Sequence, residues 1–229
     1  MKNVIIACDF ENKQELYTFL SHFPSYKPML KIGMELFYSE GPDLIIALKS
    51  EGYPIFLDLK LHDIPNTVQK AMSNLGKLDV DMINCHAAGG IKMMQAAKKG
   101  LNDVHSKALL IAVTQLTSID ETELRQELLI EKPMNETIVH YAKNAKIAGL
   151  DGVVCSPLES KIIHESCGEN FLAITPGIRL EEEQQHDQKR VTTPALAKTL
   201  GSDYIVVGRS ITQSKDPLKV YLKMMETFL

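Results

Sequence analysis

The most chemically active stretch of the chain spans residues 57–67 and reads Leu-Asp-Leu-Lys-Leu-His-Asp-Ile-Pro-Asn-Thr. Successive strand side chains point to opposite faces, so Asp58 and Lys60 are predicted to share one face and the intervening leucines the other. Asp63 follows just past the strand, where Pro65 ends the pattern. A carboxylate beside an ammonium group keeps the lysine protonated in a dry pocket and opposes a second carboxylate brought by a ligand. The alternative is an ion pair that only closes the interior, and such pairs contribute little net stability.

Ionisable residues also mark three other predicted strands. Asp9 ends the first strand, Lys31 lies on the second, and Arg209 follows the last. One such charge is expected by chance because strand ends meet solvent, but five charges on four strands indicate a shared site. Lys31 adds a second cation, so the predicted array alternates Lys-Asp-Lys-Asp, which is neutral overall and has a strong local field.

A second group of residues has the chemistry of a phosphate site. Residues 174–179 read Ile-Thr-Pro-Gly-Ile-Arg after the seventh predicted strand, and residues 206–210 read Val-Val-Gly-Arg-Ser at the eighth and open a helix. Barrels frequently bind phosphate with these two loops and a helix N-terminus. Gly177 and Gly208 permit close backbone approach, and Arg209 supplies a planar cation. A surface salt bridge is the alternative role of Arg209.

These side chains need a scaffold in which the ends of parallel strands converge. Eight short apolar runs alternate with helix-period segments, and their continuous hydrophobicity is typical of parallel strands buried on both faces. The predicted strands are Val4–Cys8, Met29–Ile32, Ile55–Leu57, Met82–Cys85, Leu109–Val113, Gly152–Cys155, Phe171–Ile174 and Tyr204–Val207. The predicted helices are Lys13–His22, Pro42–Glu51, Asn66–Gly76, Ile91–Lys99, Asn135–Ala148, Leu158–Glu165, Pro194–Leu200 and Asp216–Phe228. This alternation predicts an α/β protein with a single-domain (β/α)8 TIM barrel over residues 1–229, with a doubly wound open sheet as the alternative.

Two connections are longer than packing requires, and both follow a predicted strand. They run from Thr114 to Lys132 and from Thr175 to Thr193, and the second contains the polar run Glu181–Arg190. In a barrel both would lie over the C-terminal face, so both are candidate lids. A solvated loop is the alternative for the polar run.

Composition narrows the class of protein. The chain has 229 residues, of which 45% are hydrophobic and 24% charged, with a formal net charge of −4, so no general attraction to nucleic acid or anionic membrane is expected. Neither a membrane-length apolar run nor a signal-peptide pattern is present, which predicts a cytoplasmic location. The cysteines are scattered and are predicted to be buried and reduced, at Cys8, Cys85, Cys155 and Cys167.

Carboxylates at a barrel mouth often hold Mg²⁺, so a metal site is an alternative function for these residues. His62, His86 and the three aspartates named above are the candidate ligands, but the two neighbouring lysines already neutralise the carboxylates. No H-x-H or H-E-x-x-H element occurs. The sequence therefore predicts no metal, and it assigns the two histidines structural or supporting roles.

The pattern resembles the orotidine 5′-phosphate decarboxylase family along essentially the whole chain. The most specific element is the Asp-x-Lys-x-x-Asp core of residues 58–63. The supporting elements are Cys8-Asp9, Lys31-Ile-Gly-Met, His86-Ala-Ala-Gly-Gly90, Val113-Thr-Gln-Leu-Thr-Ser118, Thr175-Pro-Gly-Ile-Arg179 and Val207-Gly-Arg-Ser210.

The resemblance implies a carboxy-lyase that converts orotidine 5′-phosphate to uridine 5′-phosphate and CO₂ without metal or cofactor, at the last step of de novo UMP synthesis. It implies that Lys60 protonates C6 as CO₂ leaves and that Asp58 faces the substrate carboxylate. Lys31 and Asp9 would contact the ribose, and Lys31 would also join Lys60, Asp58 and Asp63 in the catalytic array.

The resemblance also implies a homodimer with shared active sites, because Asp63, Ile64 and Thr67 would bind substrate in the neighbouring subunit's site. Thr117 would border the pyrimidine. The residues implied to hold or cover the phosphate are Arg179, Gln188, Gly208 and Arg209.

Two other functions are weighed against this one. Sugar-phosphate enzymes such as hexulose-phosphate synthases also carry the Asp-x-Lys-x-x-Asp core and use Mg²⁺ to stabilise an enediolate, although the His-Asp-Ile-Pro continuation, Thr117 and the Gln188 loop favour the nucleotide. A non-catalytic sensor of a phosphorylated ligand has no need for Lys60 between two carboxylates. Activity that survives a chelator would argue against the metal-dependent enzyme. Ligand binding without CO₂ release from orotidine 5′-phosphate would support the sensor.

Overall fold

Eight parallel strands close into a barrel in the computed structural model, which describes residues 3–179 and 192–229. The strands are β1 (Asn3–Ala7), β2 (Met29–Gly33), β3 (Ile55–Leu61), β4 (Met82–His86), β5 (Leu109–Val113), β6 (Gly152–Val154), β7 (Leu172–Thr175) and β8 (Tyr204–Val207). Each strand pairs with the next along the chain, and β8 pairs with β1 to complete the ring. The predicted (β/α)8 barrel is confirmed, and the doubly wound open sheet is excluded.

Helices cover the outside of the barrel. They are α1 (Lys13–Leu20), α2 (Met34–Glu40), α3 (Pro42–Ser50), α4 (Pro65–Gly76), α5 (Gly90–Asp103), α6 (Glu121–Gln126), α7 (Met134–Ile147), α8 (Ser160–Cys167), α9 (Pro194–Thr199), α10 (Arg209–Thr212) and α11 (Pro217–Phe228). Every predicted helix has a counterpart whose ends differ by a few residues. Three further helices are short: α2 and α6 were not predicted, whereas α10 is the helix predicted to open at residues 206–210.

The alternation of strand side chains divides the core into two parts. In β1, Ile5 and Ala7 point into the barrel, whereas Val4 and Ile6 pack against the helices outside it. Both sets are almost completely buried, and each fully buried aliphatic side chain contributes about 1.5–3 kcal/mol. Apolar packing therefore stabilises the barrel on both the inner and the outer face of its strands.

The inward face of three adjacent strands changes from apolar to polar toward the C-terminal end. Met29, Phe56 and Met82 belong to the inner apolar cluster of β2, β3 and β4. Two residues further along each strand, on the same face, the side chain is charged or an amide. These three polar residues are Lys31, Asp58 and Asn84.

The ladder between β3 and β4 is interrupted beside this polar layer. Pairing holds at Leu57 with Ile83 and resumes at Leu61 with Cys85, so three residues of β3 lie opposite a single residue of β4. Within the interruption Lys60 has φ of 52°, in the left-handed region that residues other than glycine rarely adopt. The strand therefore bends where the site begins.

The first long connection contains secondary structure that was not predicted. Helix α6 lies within it and begins at a capping box, in which the Asp120 side chain accepts from the Glu123 N–H and Glu123 accepts from the Asp120 N–H. The residues before the helix, from Gln115 to Ser118, face the C-terminal end of the barrel. The prediction that this connection lies over that face is confirmed.

The second long connection is anchored at its two ends. Ile178 and Thr192 form a parallel bridge, and the Arg179 N–H donates to the Thr192 carbonyl oxygen at 3.0 Å. The predicted lid, its polar run Glu181–Arg190 and Gln188 lie outside the described residues.

The four cysteines are buried and free, as predicted. In the part of the chain that the structure describes, no helix is long and apolar enough to cross a bilayer.

Candidate active site

A cavity of about 540 Å³ opens at the C-terminal ends of the strands, a volume that suits a small-molecule ligand. Residues from several strands and from the loops that follow them form its wall. The predicted site residues that line it are Asp9, Lys31, Asp58, Lys60, Thr117, Arg179, Gly208 and Arg209. The strand-end charges predicted to converge therefore do so.

Four of these side chains form a row of alternating charge. Lys31 Nζ lies 2.9 Å from Asp9 Oδ1 and 3.4 Å from Asp58 Oδ2. Lys60 Nζ lies 2.7 Å from Asp58 Oδ1. Asp58 thus lies between two ammonium groups, and Lys60, a residue of the cavity wall, ends the row.

The row holds its central members in their charged forms. Burial raises the pKa of Asp58, but Lys31 and Lys60 outweigh it, so the pKa of the carboxyl is lowered overall. Burial likewise lowers the pKa of the Lys31 ammonium, but Asp58 and Asp9 raise it above its ordinary value. Charged groups in so dry a site act with a stronger field than they would in water.

Asn84 is a member of the site that sequence reasoning missed. Its side chain is fully buried, and its Nδ2 donates to Asp58 Oδ1 at 2.6 Å while its Oδ1 accepts from the Lys60 backbone N–H at 2.7 Å. An amide inside the apolar run Met-Ile-Asn-Cys was the available signal, because a buried amide needs partners.

The end of the cavity formed by the loops after β7 and β8 contains two arginines and two glycines. Gly177 has φ of 82°, which lets the chain turn sharply into Arg179. Arg179 is buried, and its Nε has no hydrogen-bond partner within the described residues. Arg209 lines the same end beside Gly208. Helix α10 has only 4 residues, so the cations rather than a long helix give this end its positive field.

The cavity wall also contains polar residues of the loop after β5 and apolar residues. Gln115, Thr117 and Ser118 line it from the loop after β5, and the first and last of these were not predicted. Phe56 and Val154 belong to the apolar lining.

Three predicted site residues do not reach the cavity of their own chain. Asp63, Ile64 and Thr67 are exposed and lie around the start of α4. The Asp63 carboxylate accepts from the Ile64 N–H at 2.6 Å, and Ile64 is 66% exposed. In one chain the array therefore contains Lys31, Asp58 and Lys60 but lacks Asp63.

His62 and His86 stack with their ring centroids 5.4 Å apart. Burial, followed by His62 and Lys60, lowers the pKa of His86, which favours its neutral form. Within residues 3–179 and 192–229, no three His, Cys, Asp or Glu side chains are grouped as ligands for one metal ion.

Comparisons with known proteins agree with this geometry. The family described as "Orotidine 5'-phosphate decarboxylase / HUMPS family" matches residues 2–224. The chain is 55% identical over 231 residues to a protein of Staphylococcus epidermidis named orotidine 5'-phosphate decarboxylase, covering 100% of both chains. It is 54% identical over 224 residues to the Bacillus mycoides protein of that name, covering 96% of this chain and 94% of the relative.

Solved structures give the same result. The Lactobacillus acidophilus orotidine 5'-phosphate decarboxylase matches with a TM-score of 0.90 and 44% identity, over 100% of this chain and 99% of that one. An uncharacterized conserved protein from Geobacillus kaustophilus matches with a TM-score of 0.88 and 47% identity, over 99% and 100%. By the extent and identity of these matches, the chain belongs to the orotidine 5'-phosphate decarboxylase / HUMPS family.

Proposed function

We propose that this chain converts orotidine 5′-phosphate to uridine 5′-phosphate and CO₂, with Lys60 as the proton donor to C6. The family and the names of its close relatives support the decarboxylation, which is the last step of de novo UMP synthesis. The observation that carries the role of Lys60 is the 2.7 Å contact between its Nζ and Asp58 Oδ1 at the wall of the cavity.

The chemistry requires a cation beside the carbon that reacts. When the bond from C6 to the carboxylate breaks, CO₂ leaves and the electron pair of the bond stays on C6. The Lys60 ammonium stabilises this charge and then transfers a proton to C6, which gives the nucleotide product and a neutral amine that takes a proton back from solvent. Asp58 holds the ammonium in place for both steps.

Asp58 also acts on the substrate before reaction. A substrate carboxylate placed beside it is repelled by about 4 kcal/mol at 4 Å and an effective dielectric of about 20. The repulsion disappears when the carboxylate becomes neutral CO₂. Because Lys31 and Lys60 keep Asp58 ionised despite its burial, the repulsion is present throughout the neutral pH range.

Binding at the phosphate end supplies the energy that places the substrate in this position. Arg209 and the buried Arg179 line that end, and Gly208 allows the backbone to approach. Contacts remote from the reacting carbon can offset strain at the carbon. Gln188, which is not among the described residues, is proposed to cover the phosphate.

We further propose that the active form is a homodimer with shared active sites. Asp63, Ile64 and Thr67 are exposed and do not line the cavity described above, although they belong to or follow the Asp-x-Lys-x-x-Asp core. Ile64 is 66% exposed in the single chain, and in the proposed dimer the second subunit would cover it. In the dimer these residues would complete the neighbour's row of charges.

The reaction is proposed to take place in the cytoplasm. The cysteines, all four buried and free, suit a reducing compartment. A net charge of −4 gives no reason to expect binding to nucleic acid or anionic membrane.

The experiment is an absorbance assay of orotidine 5′-phosphate turnover in EDTA, with the wild type, Lys60→Ala and Lys99→Ala. Lys99 is exposed on α5 and pairs with Asp103, so Lys99→Ala is the matched loss of a lysine in an ion pair. We expect turnover in EDTA by the wild type and by Lys99→Ala, and a loss of at least about a thousandfold in Lys60→Ala. Circular dichroism establishes that each variant is folded.

Two results would contradict the proposal. Near wild-type turnover in folded Lys60→Ala would remove the proton-donor role. A wild type that is inactive in EDTA and restored by Mg²⁺ would instead favour the metal-dependent chemistry of the sugar-phosphate enzymes.

A further inference from the structure

The backbone of Lys60 is held in a costly conformation. Its φ of 52° places it in the left-handed region, which costs an L-residue with a Cβ of the order of 1–2 kcal/mol. It also lies where the β3–β4 ladder is interrupted, between Leu57 and Leu61. A backbone N–H at such an interruption loses its strand partner and needs another acceptor.

Asn84 supplies that acceptor and a second hydrogen bond from the same side chain. Its Oδ1 takes the Lys60 N–H at 2.7 Å, and its Nδ2 donates to Asp58 Oδ1 at 2.6 Å. The orientation of the amide is fixed, because the backbone N–H can only donate and the ionised carboxylate can only accept. Asn84 is the residue of β4 that lies opposite the interruption in β3. It connects the backbone of Lys60 to Asp58, the carboxylate that the Lys60 ammonium contacts.

We propose that Asn84 is a positioning residue for the reaction, which fixes both the backbone from which Lys60 projects and the carboxylate that aims its ammonium. This inference rests on the proposed function of Lys60 as the proton donor. Asn84 is fully buried and is not part of the cavity wall, so it acts through these two residues and not on the substrate.

The allocation of the Asp58 oxygens shows what Asn84 controls. Oδ1 receives both the Lys60 ammonium and the Asn84 amide, whereas Oδ2 faces Lys31 at 3.4 Å. Without the amide, the carboxylate is free to rotate about its terminal bond and to redistribute its oxygens between the two lysines. A displacement of the ammonium by about 1 Å is enough to lower a rate by about a hundredfold.

The first test replaces Asn84 with an apolar side chain of the same branching. Asn84→Leu removes both hydrogen bonds, and Met82→Leu is the matched control, because Met82 lies one layer below on the same face of β4 and tolerates a swap of similar volume. We expect kcat for orotidine 5′-phosphate to fall by about ten- to a hundredfold in Asn84→Leu. KM should change by less than about threefold, because the phosphate end is untouched. Met82→Leu should stay within about twofold of the wild type in both constants.

The second test uses Asn84→Asp, which keeps the shape of the side chain and makes its donor depend on pH. When protonated, the new carboxyl group can donate to Asp58 and accept from the Lys60 N–H, as the amide does. When ionised, it opposes Asp58 across the same short distance, and two such carboxylates share a proton with one pKa strongly raised. We therefore expect the kcat of Asn84→Asp, divided by that of the wild type, to rise at least about tenfold from about pH 8 to about pH 5.5. All other titratable groups are common to both proteins, so this ratio isolates position 84.

The outcomes separate the inference from the function on which it rests. A wild type that does not release CO₂ would overturn the proposed function. An active wild type together with folded Asn84→Leu within twofold of it would overturn the role of Asn84 alone. An effect on KM only, an equal loss of kcat in Met82→Leu, or a flat pH ratio in Asn84→Asp would also overturn it. The pH ratio decides the question if Asn84→Leu does not fold.

Discussion

Among single residues, Gly33 leaves the space that the first ion pair of the charged row occupies. A Cβ built at this position would lie 3.1 Å from Lys31 Nζ and 3.3 Å from Asp9 Oδ1. The φ of Gly33 is −90°, which any residue can adopt, so the requirement for glycine comes from the space and not from the backbone. The residue thus affects the electrostatics of the site without contributing a functional group.

We predict that Gly33→Ala lowers activity without lowering stability. The added methyl group should move the Lys31 ammonium by a few tenths of an ångström and reduce kcat/KM by roughly three- to tenfold. The free energy of unfolding should stay the same or rise by about 0.5 kcal/mol, because alanine restricts the unfolded chain. Urea titration and steady-state kinetics check both, with Glu35→Ala on the exposed start of α2 as the control. A loss of stability that matches the loss of activity would contradict the prediction.

Arg209 should affect binding more than chemistry. Removing a cation that bonds phosphate oxygens costs about 1.5–3 kcal/mol, so Arg209→Ala should raise KM by about ten- to a hundredfold. Arg125→Ala is the control, since Arg125 is exposed on α6 and pairs with Glu121 at 3.7 Å, away from the cavity. Steady-state kinetics with orotidine 5′-phosphate give the result, and an unchanged KM would place the phosphate elsewhere.

The site could be predicted from sequence where it follows the period of a strand. Asp58 and Lys60 share a face, and Leu57 and Leu59 pack outside the barrel, as the alternation requires. Asn84 could not be predicted in the same way, because its role depends on an interrupted pairing between two strands that no single strand pattern contains.

Among the elements, α4 and α5 pack most closely where Gly100 faces α4. A Cβ at this position would collide with the Gln69 carbonyl oxygen and lie 3.0 Å from Met72 Cβ. The Ser73 hydroxyl donates to the Gly100 carbonyl oxygen at 2.9 Å, which ties the two backbones together. Because α4 begins two residues after Asp63, this packing also affects the positions of the exposed residues Asp63, Ile64 and Thr67.

We predict that Gly100→Ala destabilises the protein, although alanine is the better helix former. Overpacking against backbone that cannot move aside should outweigh the gain in helix propensity and lower the free energy of unfolding by about 2 kcal/mol. Gln95→Ala, on the exposed face of α5, should change it by less than about 0.5 kcal/mol. Chemical denaturation measures both, and a stabilised Gly100→Ala would show that the helices can separate at this point.

The number and order of the strands were predictable because their apolar runs are continuous, but some boundaries were not. The apolar run that predicts the third strand ends at Leu57, and only the alternation of Asp58 and Lys60 with leucines extends the pattern; β3 itself continues to Leu61. The capping box from Asp120 to Glu123 was a signal for α6. The start of α10 was predicted after Gly208, but its end was not, because four residues are too few to show a helical period.

In the whole molecule, a single segment supplies both a residue of the cavity and the exposed residues around the start of α4. Lys60 lines the cavity, and Asp63, three residues later, is exposed at the start of α4. The left-handed turn at Lys60 and the start of α4 at Pro65 separate the directions of the two side chains. One chain can therefore hold substrate and at the same time present Asp63 to a second chain.

Subunit mixing tests this arrangement. Lys60→Ala and Asp63→Ala should each be nearly inactive alone, because every site in either homodimer lacks one of the two groups. In a mixed dimer with shared sites, one site receives the intact Lys60 of one chain and the intact Asp63 of the other. Random mixing of equal amounts makes half of the dimers mixed and one of their two sites intact, so about a quarter of the wild-type activity per site should return.

The control for mixing pairs two defects that lie in one cavity. Lys60→Ala mixed with Arg209→Ala creates no intact site, because Lys60 and Arg209 line the cavity of the same chain and each site of a mixed dimer keeps one of the two defects. Activity of that mixture should therefore equal the average of its two components, while the Lys60→Ala and Asp63→Ala mixture should exceed its own average several-fold. Native mass spectrometry must show that subunits have exchanged in both. If exchange is complete and neither mixture exceeds its average, Asp63 acts within its own chain or not at all, and the exposed position of that carboxylate would need another explanation.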